Sequence, residues 1–339
     1  MKTIILEQPG QLAYGQSTSP VAPLADSAVV RVRRIGICGT DLHAFRGRQP
    51  FFTYPRILGH ELGVEITAIE PNDFGLTIGD RCAVEPYLNC GHCIACRAGK
   101  TNCCTSLQVL GVHADGGMQE AISVPLNKLH KSATLTCEQL AVVEPLSIGA
   151  HAVERAQLQP DEFVLVIGAG PIGLSVIQFA QLKNARVIAL DVNDSRLDFC
   201  RVHYRMTATI NAQRDDVMAR LNEITNGDLP TAVFDATGNV ASMEQAFNLV
   251  AHGGRLIFVG LVQADITFHD PNFHRRELTV LSSRNSIGAD FKRIIALMES
   301  GQITIDPWLT HRVPFTETVE HFPDWLNPEA GFIKGIVEL

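Results

Sequence analysis

From Glu162 onward the apolar positions fall into short solid runs separated by longer mixed segments. The first run, Phe163 to Ile167, leads into Gly168, Gly170 and Gly173 in G-x-G-x-x-G spacing. An apolar helix-like stretch follows from Leu174 to Leu182, and then a second run from Arg186 to Leu190 that ends in Asp191. This order reads as strand, glycine turn, helix, strand. Further strand-like runs stand at Ala208 to Ile210, Thr231 to Ala236, Arg255 to Gly260 and Leu278 to Ser283, with helical segments such as Ser242 to Val250 between them. Six strands alternating with helices predict a parallel, doubly wound α/β sheet. A last helix is expected from Asp290 to Ser300.

A glycine triplet alone is a weak signal, but between a strand and a helix it marks a dinucleotide loop. The glycines allow a tight turn and close approach of a pyrophosphate to the helix N-terminus, whose free N–H groups favour an anion. Asp191 stands where an acidic residue hydrogen-bonds the adenosine ribose, and its charge would repel a 2′-phosphate. NAD is therefore expected over NADP, with Arg196 close enough in sequence to soften the preference. The expected cofactor contacts are Gly168, Gly170, Pro171, Ile172, Gly173, Asp191 and Arg196, then Val259, Gly260, Ser283 and Arg284 from the ends of later strands.

Composition narrows the class. The 339 residues suggest two domains, and 46% hydrophobic with 19% charged residues fits a globular chain. A net charge of −8 argues against a nucleic-acid or anionic-membrane surface. The opening "MKTIILEQPG" has too short an apolar run for a signal peptide, and no stretch approaches a membrane span, so a cytoplasmic address is expected. In a reducing compartment clustered cysteines are more often metal ligands than disulfides. Cys90, Cys93, Cys96 and Cys104 follow C-x2-C-x2-C-x7-C inside a polar lobe at about 86–106 with almost no apolar content. Four thiolates would close a structural zinc site. Cys103 is the spare thiol, and its side chain is expected to point away from that of Cys104.

Three distant segments carry further ligand types. "GICGTDLHAF" holds Cys38, Thr40, Asp41 and His43; "RILGHELGVEI" holds His60 and Glu61; "VVEPLSIGAH" holds Glu144. With the four-cysteine lobe between the second and third, the chain resembles the zinc-dependent medium-chain dehydrogenases, from about Met1 to Leu339. The "EPL" stretch, where alcohol dehydrogenases carry a cysteine, is similar to the polyol branch. "HAFRGRQPFFTYPRILGHE", "LGVHADGG", "HDPNFHRREL" and "LTHRVPF" resemble bacterial sugar-acid dehydrogenases of the L-galactonate and L-idonate 5-dehydrogenase type.

The resemblance implies a GroES-like, β-rich catalytic domain from residues 1–145 and 286–339, a Rossmann domain at 146–285, and an active site in the cleft between them. It implies a catalytic zinc on Cys38, His60 and Glu144, with Glu61 binding the metal transiently, and a second, structural zinc on the cysteine lobe. A thiolate, a carboxylate and a neutral imidazole balance the charge of zinc and leave one position open. Thr40 and His43 would relay the alcohol proton, with Glu61 as a rival route, and Arg284 would touch substrate. The implied reaction moves hydride from a secondary hydroxyl of an L-configured aldonate to NAD, giving a keto-acid. A neutral polyol and L-threonine stay open as substrates, as does a nucleotide-sensing protein without turnover. A homodimer or homotetramer built on edge strands is implied, with a small polyhydroxy molecule as substrate.

Overall fold

The six apolar runs fold as parallel strands. The computed structural model describes residues 1–50, 52–327 and 331–339. In it the strands are Phe163–Ile167, Arg186–Asp191, Ala208–Asn211, Ala232–Asp235, Arg255–Phe258 and Thr279–Ser282. In space the third lies beside the second, the second beside the first, and the first beside the fourth, with the fifth and sixth following. The order reverses at the first strand, and such a switch point opens a crevice at the strand C-termini. Parallel register pairs Ile167 with Leu190 on one side and with Asp235 on the other, so those ends are level. Leu165, Ile188, Ile210, Val233 and Leu256 pack with Phe247 as the core below.

Several element boundaries differ from the sequence reading by one to four residues, and two of them have a visible cause. The strand from Arg255 stops at Phe258, because the N–H groups of Val259 and Gly260 both turn onto the Asp235 carbonyl at 2.9 Å. The helix expected at Ser242 begins at Val240, where the Asn239 side chain caps the Ser242 N–H, and ends at Ala246.

The chain divides into two compact units, Leu146–Ser286, which holds this sheet, and Met1–Pro145 with Ile287–Leu339. The second unit is built on a seven-stranded sheet. Its long strand Ser27–Ile37 pairs with Glu61–Ile69 on one side; on the other it pairs with Lys334–Glu338 and, at its opposite end, with Ala121–Pro125. Antiparallel register sets Gly36 opposite both Glu61 and Ile336. Apolar residues from these strands, including Val30, Val32, Ile35, Leu62, Val64 and Val337, bury against Phe322 and Trp325. No helix among the described residues is long and apolar enough to cross a membrane.

Candidate active site and metal centres

The cysteine lobe is short-range structure with little apolar support. Tyr87–Leu88 pairs with Gln108–Val109, and between them stand the turn of helix Ile94–Arg97 and the 3-10 turn Thr101–Cys103. The sulfurs of Cys90, Cys93, Cys96 and Cys104 all lie within 4.8 Å of one another. Backbone N–H groups point at them: Cys90 and Ser106 donate to the Cys104 sulfur at 3.2 and 3.4 Å. N–H donors on sulfur favour thiolate; those of Cys96 and Thr105 bring the Cys93 thiol down to about 5. Four sulfurs converging in a loop without its own core fit a structural zinc. Cys103 is exposed and Cys104 buried, and no cysteine of the chain is paired in a disulfide.

The second cluster is assembled by the long sheet. Cys38 ends the strand Ser27–Ile37 and precedes the helix Gly39–Phe45, whose first turn carries Asp41. The Asp41 carboxylate accepts the Cys38 N–H at 2.9 Å and faces His60 Nδ1 at 3.6 Å. His60 immediately precedes the strand that begins at Glu61. The Cys38 sulfur, a His60 ring nitrogen and a Glu61 oxygen lie within 4.8 Å of one another. Glu144 sits buried in the first turn of helix Val143–Ala156 and accepts a hydrogen bond from the Tyr87 hydroxyl. It falls outside that three-atom set, but its charge acts on both His60 and Lys334.

This pocket of buried anions demands positive charge. Burial alone would lower the His60 pKa; Asp41 and Cys38 beside it outweigh burial and hold it well above the usual imidazole value. Burial pushes the Glu144 carboxyl up to about 7. His60 Nδ1 and Asp41 Oδ1 are buried with no hydrogen-bond partner. A cysteine sulfur, an imidazole and carboxylates gathered in one place fit a divalent cation of borderline softness, and a carboxylate behind the histidine is the usual support for a zinc-bound imidazole.

Three residues here were not legible as site components. Lys334 donates to both oxygens of Glu61, at 2.6 and 2.8 Å. Tyr87 holds Glu144. Gly36 lies under Glu61, so close that a Cβ there would fall 2.1 Å from Glu61 Oε2. Nothing local in "FIKGIVEL" or "EPYLNC" marks the first two; strand register brings in Lys334, and the start of helix Val143–Ala156 packing beside Tyr87 brings in the other. Thr40 is half-buried and His43 exposed on the helix after Cys38. Partial burial, with Arg46 and Arg48 nearby, lowers the His43 pKa.

In the parallel-sheet unit the glycine loop has the required shape. Gly168 has φ +92°, and a Cβ on Gly173 would lie 1.7 Å from the Gly168 carbonyl oxygen. Gly170 meets nothing closer than Arg196 at 3.8 Å, leaving the loop's outer side open to a pyrophosphate. Pro171 and Ile172 open the helix Pro171–Leu182, so its free N–H groups face that side. Asp191 accepts the Ala169 and Asn193 N–H groups at 2.6 and 2.8 Å, which ties the second strand's end to the loop. Its carboxylate keeps lone pairs for a ribose hydroxyl, and Arg196 lies 4.0 Å away, half-exposed. Gly260 packs on Gly238, Ser283 is buried with its hydroxyl unpartnered, and Arg284 is exposed after the last strand.

Residues 25–134 match the alcohol dehydrogenase GroES-like domain, and residues 171–300 match the zinc-binding dehydrogenase domain. The chain is 40% identical over 337 residues to L-galactonate-5-dehydrogenase of Escherichia coli K12, covering 99% of this chain and 98% of that protein. The chain belongs to the zinc-binding alcohol dehydrogenase family. It is an NAD-dependent oxidoreductase of the polyol and sugar-acid group. This dehydrogenase is also 33% identical over 264 residues to sorbitol dehydrogenase of Bacillus subtilis 168, covering 75% of the chain and 74% of that protein. Among solved structures, an alcohol dehydrogenase of E. coli CFT073 in complex with NADH superposes with a TM-score of 0.92 at 30% identity, covering 100% and 99% of the two chains.

Proposed function

We propose that this dehydrogenase oxidises a secondary hydroxyl of an L-configured aldonate, of the L-galactonate or L-idonate kind, to the keto-acid with NAD. The alcohol loses a hydride to NAD and a proton to solvent. The observation that carries the chemistry is the convergence of Cys38, His60 and Glu61 within 4.8 Å, with the buried Glu144 from a third segment close enough to feel the charges of His60 and Glu61. The substrate class is supported by the 40% identity to an L-galactonate-5-dehydrogenase.

Cys38, His60 and Glu144 would hold the catalytic zinc and Cys90, Cys93, Cys96 and Cys104 the structural one. Bound zinc would supply a Lewis acid for a substrate oxygen, and NAD a two-electron acceptor. Asp41 fixes the His60 ring from behind. The Thr40 hydroxyl receives the substrate's proton and His43 passes it to solvent. Asp191 selects NAD by bonding the ribose, and Arg284 contacts substrate. We assign 1–145 and 286–339 to the catalytic domain and 146–285 to the cofactor domain, a reading supported by the chain's two compact units, Met1–Pro145 with Ile287–Leu339 and Leu146–Ser286. Unpaired thiols support a cytoplasmic setting. The strand Thr279–Ser282, bonded on one side only, supports a homodimer or homotetramer.

An NAD-reduction screen over L-galactonate, L-idonate, sorbitol and L-threonine, with zinc counted per chain, tests the reading. Highest kcat/KM on an aldonate with two zinc ions per chain is expected. Sorbitol far above both aldonates would transfer the assignment to a neutral polyol, which the sorbitol dehydrogenase likeness favours as the second reading.

A further inference from the structure

Lys334 is the least expected residue in the metal pocket. It is fully buried, comes from the last strand of the chain, and lies 273 positions from Glu61. Its three ammonium protons are all used: two on Glu61 Oε1 and Oε2, and one on the Ile37 carbonyl at 3.1 Å. Strand register sets the geometry, with Gly335 opposite Ile37 and Gly36 opposite Glu61, so the lysine spans three adjacent strands. The absence of a side chain at Gly36 lets the glutamate lie flat against the sheet.

Glu61 is therefore in a contradictory place. One of its oxygens is within 4.8 Å of the Cys38 sulfur and a His60 nitrogen, near enough to complete a coordination sphere. Both oxygens are nonetheless engaged by a cation that, among the described residues, has no other acidic hydrogen-bond partner. Cys38 and Glu144 already balance a dication. A free Glu61 anion would have the metal as its nearest counter-charge, and a fourth protein ligand closes a zinc site to substrate.

We propose that Lys334 is a positioning residue that holds Glu61 as an outer neighbour of the catalytic metal and so keeps the fourth coordination position open. This rests on the reading of Cys38, His60 and Glu144 as a zinc site. Removing the lysine's charge releases Glu61 onto the metal: the site becomes tighter for metal and poorer at turnover. Removing the glutamate's charge instead leaves the ammonium facing the metal, and the site becomes looser.

The test uses full-length enzyme with cobalt exchanged into this site and zinc left in the four-cysteine lobe. The readouts are the cobalt visible spectrum, the rate of metal loss to a chelator, and kcat. Lys334→Met is expected to change the cobalt spectrum, slow metal loss about tenfold and lower kcat by about tenfold or more, the usual range for outer-shell partners. Lys334→Arg should return all three towards wild type. Glu61→Gln, which does not depend on the methionine variant folding, should keep the wild-type spectrum while losing metal about tenfold faster. The double variant Lys334→Met with Glu61→Gln should also keep the wild-type spectrum. An altered spectrum in Glu61→Gln would make Glu61 a resting ligand and overturn the proposal. So would a Lys334→Met enzyme whose spectrum is unchanged, or which loses metal as fast as wild type or faster. One metal per wild-type chain, held by the cysteine lobe alone, would remove the site itself; two metals with indifferent Lys334 variants would remove only the latch.

Discussion

Gly36→Ala is the sharpest perturbation the sheet offers. The added methyl would stand 2.1 Å from Glu61 Oε2 and 2.9 Å from Glu61 Cβ. The strand cannot back away, since it is hydrogen-bonded on both sides, to Glu61–Ile69 and to Lys334–Glu338. The backbone at Gly36 is ordinary extended strand, so the cost is steric alone. The carboxylate must swing away and the Cβ of Glu61 must give by a few tenths of an ångström, and moving the carboxylate breaks the buried pair with Lys334. Breaking such a pair costs about 3–5 kcal/mol, a large share of the 5–15 kcal/mol of a typical domain. For a domain of about this size, each kcal/mol moves Tm by about 2–4 °C, so a fall of about 6–20 °C is expected. Scanning calorimetry or circular dichroism of wild type and variant measures it. In a background carrying Glu61→Ala and Lys334→Met the penalty should shrink to less than half, because the 2.1 Å overlap with the carboxylate and the buried pair are gone and only the 2.9 Å contact with the Cβ of residue 61 remains. A Gly36→Ala protein within two degrees of wild type, or an undiminished penalty in that background, would refute the argument.

Other expectations follow from the same geometry. Asp191→Ser removes both the charge that repels a 2′-phosphate and the brace on the Ala169 N–H; NAD kcat/KM should fall and the NADP/NAD ratio rise by about tenfold or more, a factor of ten being about 1.4 kcal/mol, as steady-state kinetics with both cofactors would show. His43, its pKa lowered by partial burial and then by Arg46 and Arg48, is neutral at pH 7 and able to take a proton. His43→Ala should depress kcat most at about pH 6–7 and least in alkali, where hydroxide replaces the relay; a flat ratio across the pH profile would exclude it. Cys93→Ser should lower the zinc count by one per chain and expose Arg97 and Lys100 to trypsin, leaving the parallel-sheet unit intact on the gel; an uncut lobe would argue that it stands without metal.

The sequence by itself determined the parts made of near neighbours. The glycine loop, the six strands and the four-cysteine lobe each lie within a few turns of chain, so spacing encodes geometry directly: Gly173 must be glycine because the Gly168 carbonyl lies beneath it, and four cysteines sixteen residues apart or less find one another by local folding. Candidate ligands at Cys38, His60, Glu61 and Glu144 were also visible as residue types. Which of them gather, and what neutralises them, was decided by the long-range sheet. Lys334 meets Glu61 only after antiparallel register has fixed which side chains face one another across strands, and Tyr87 meets Glu144 only once the start of helix Val143–Ala156 has packed beside it. A lysine opening a strand of five residues carries no local sign of burial; its partner's charge, far away in the chain, is the physical reason it can be there.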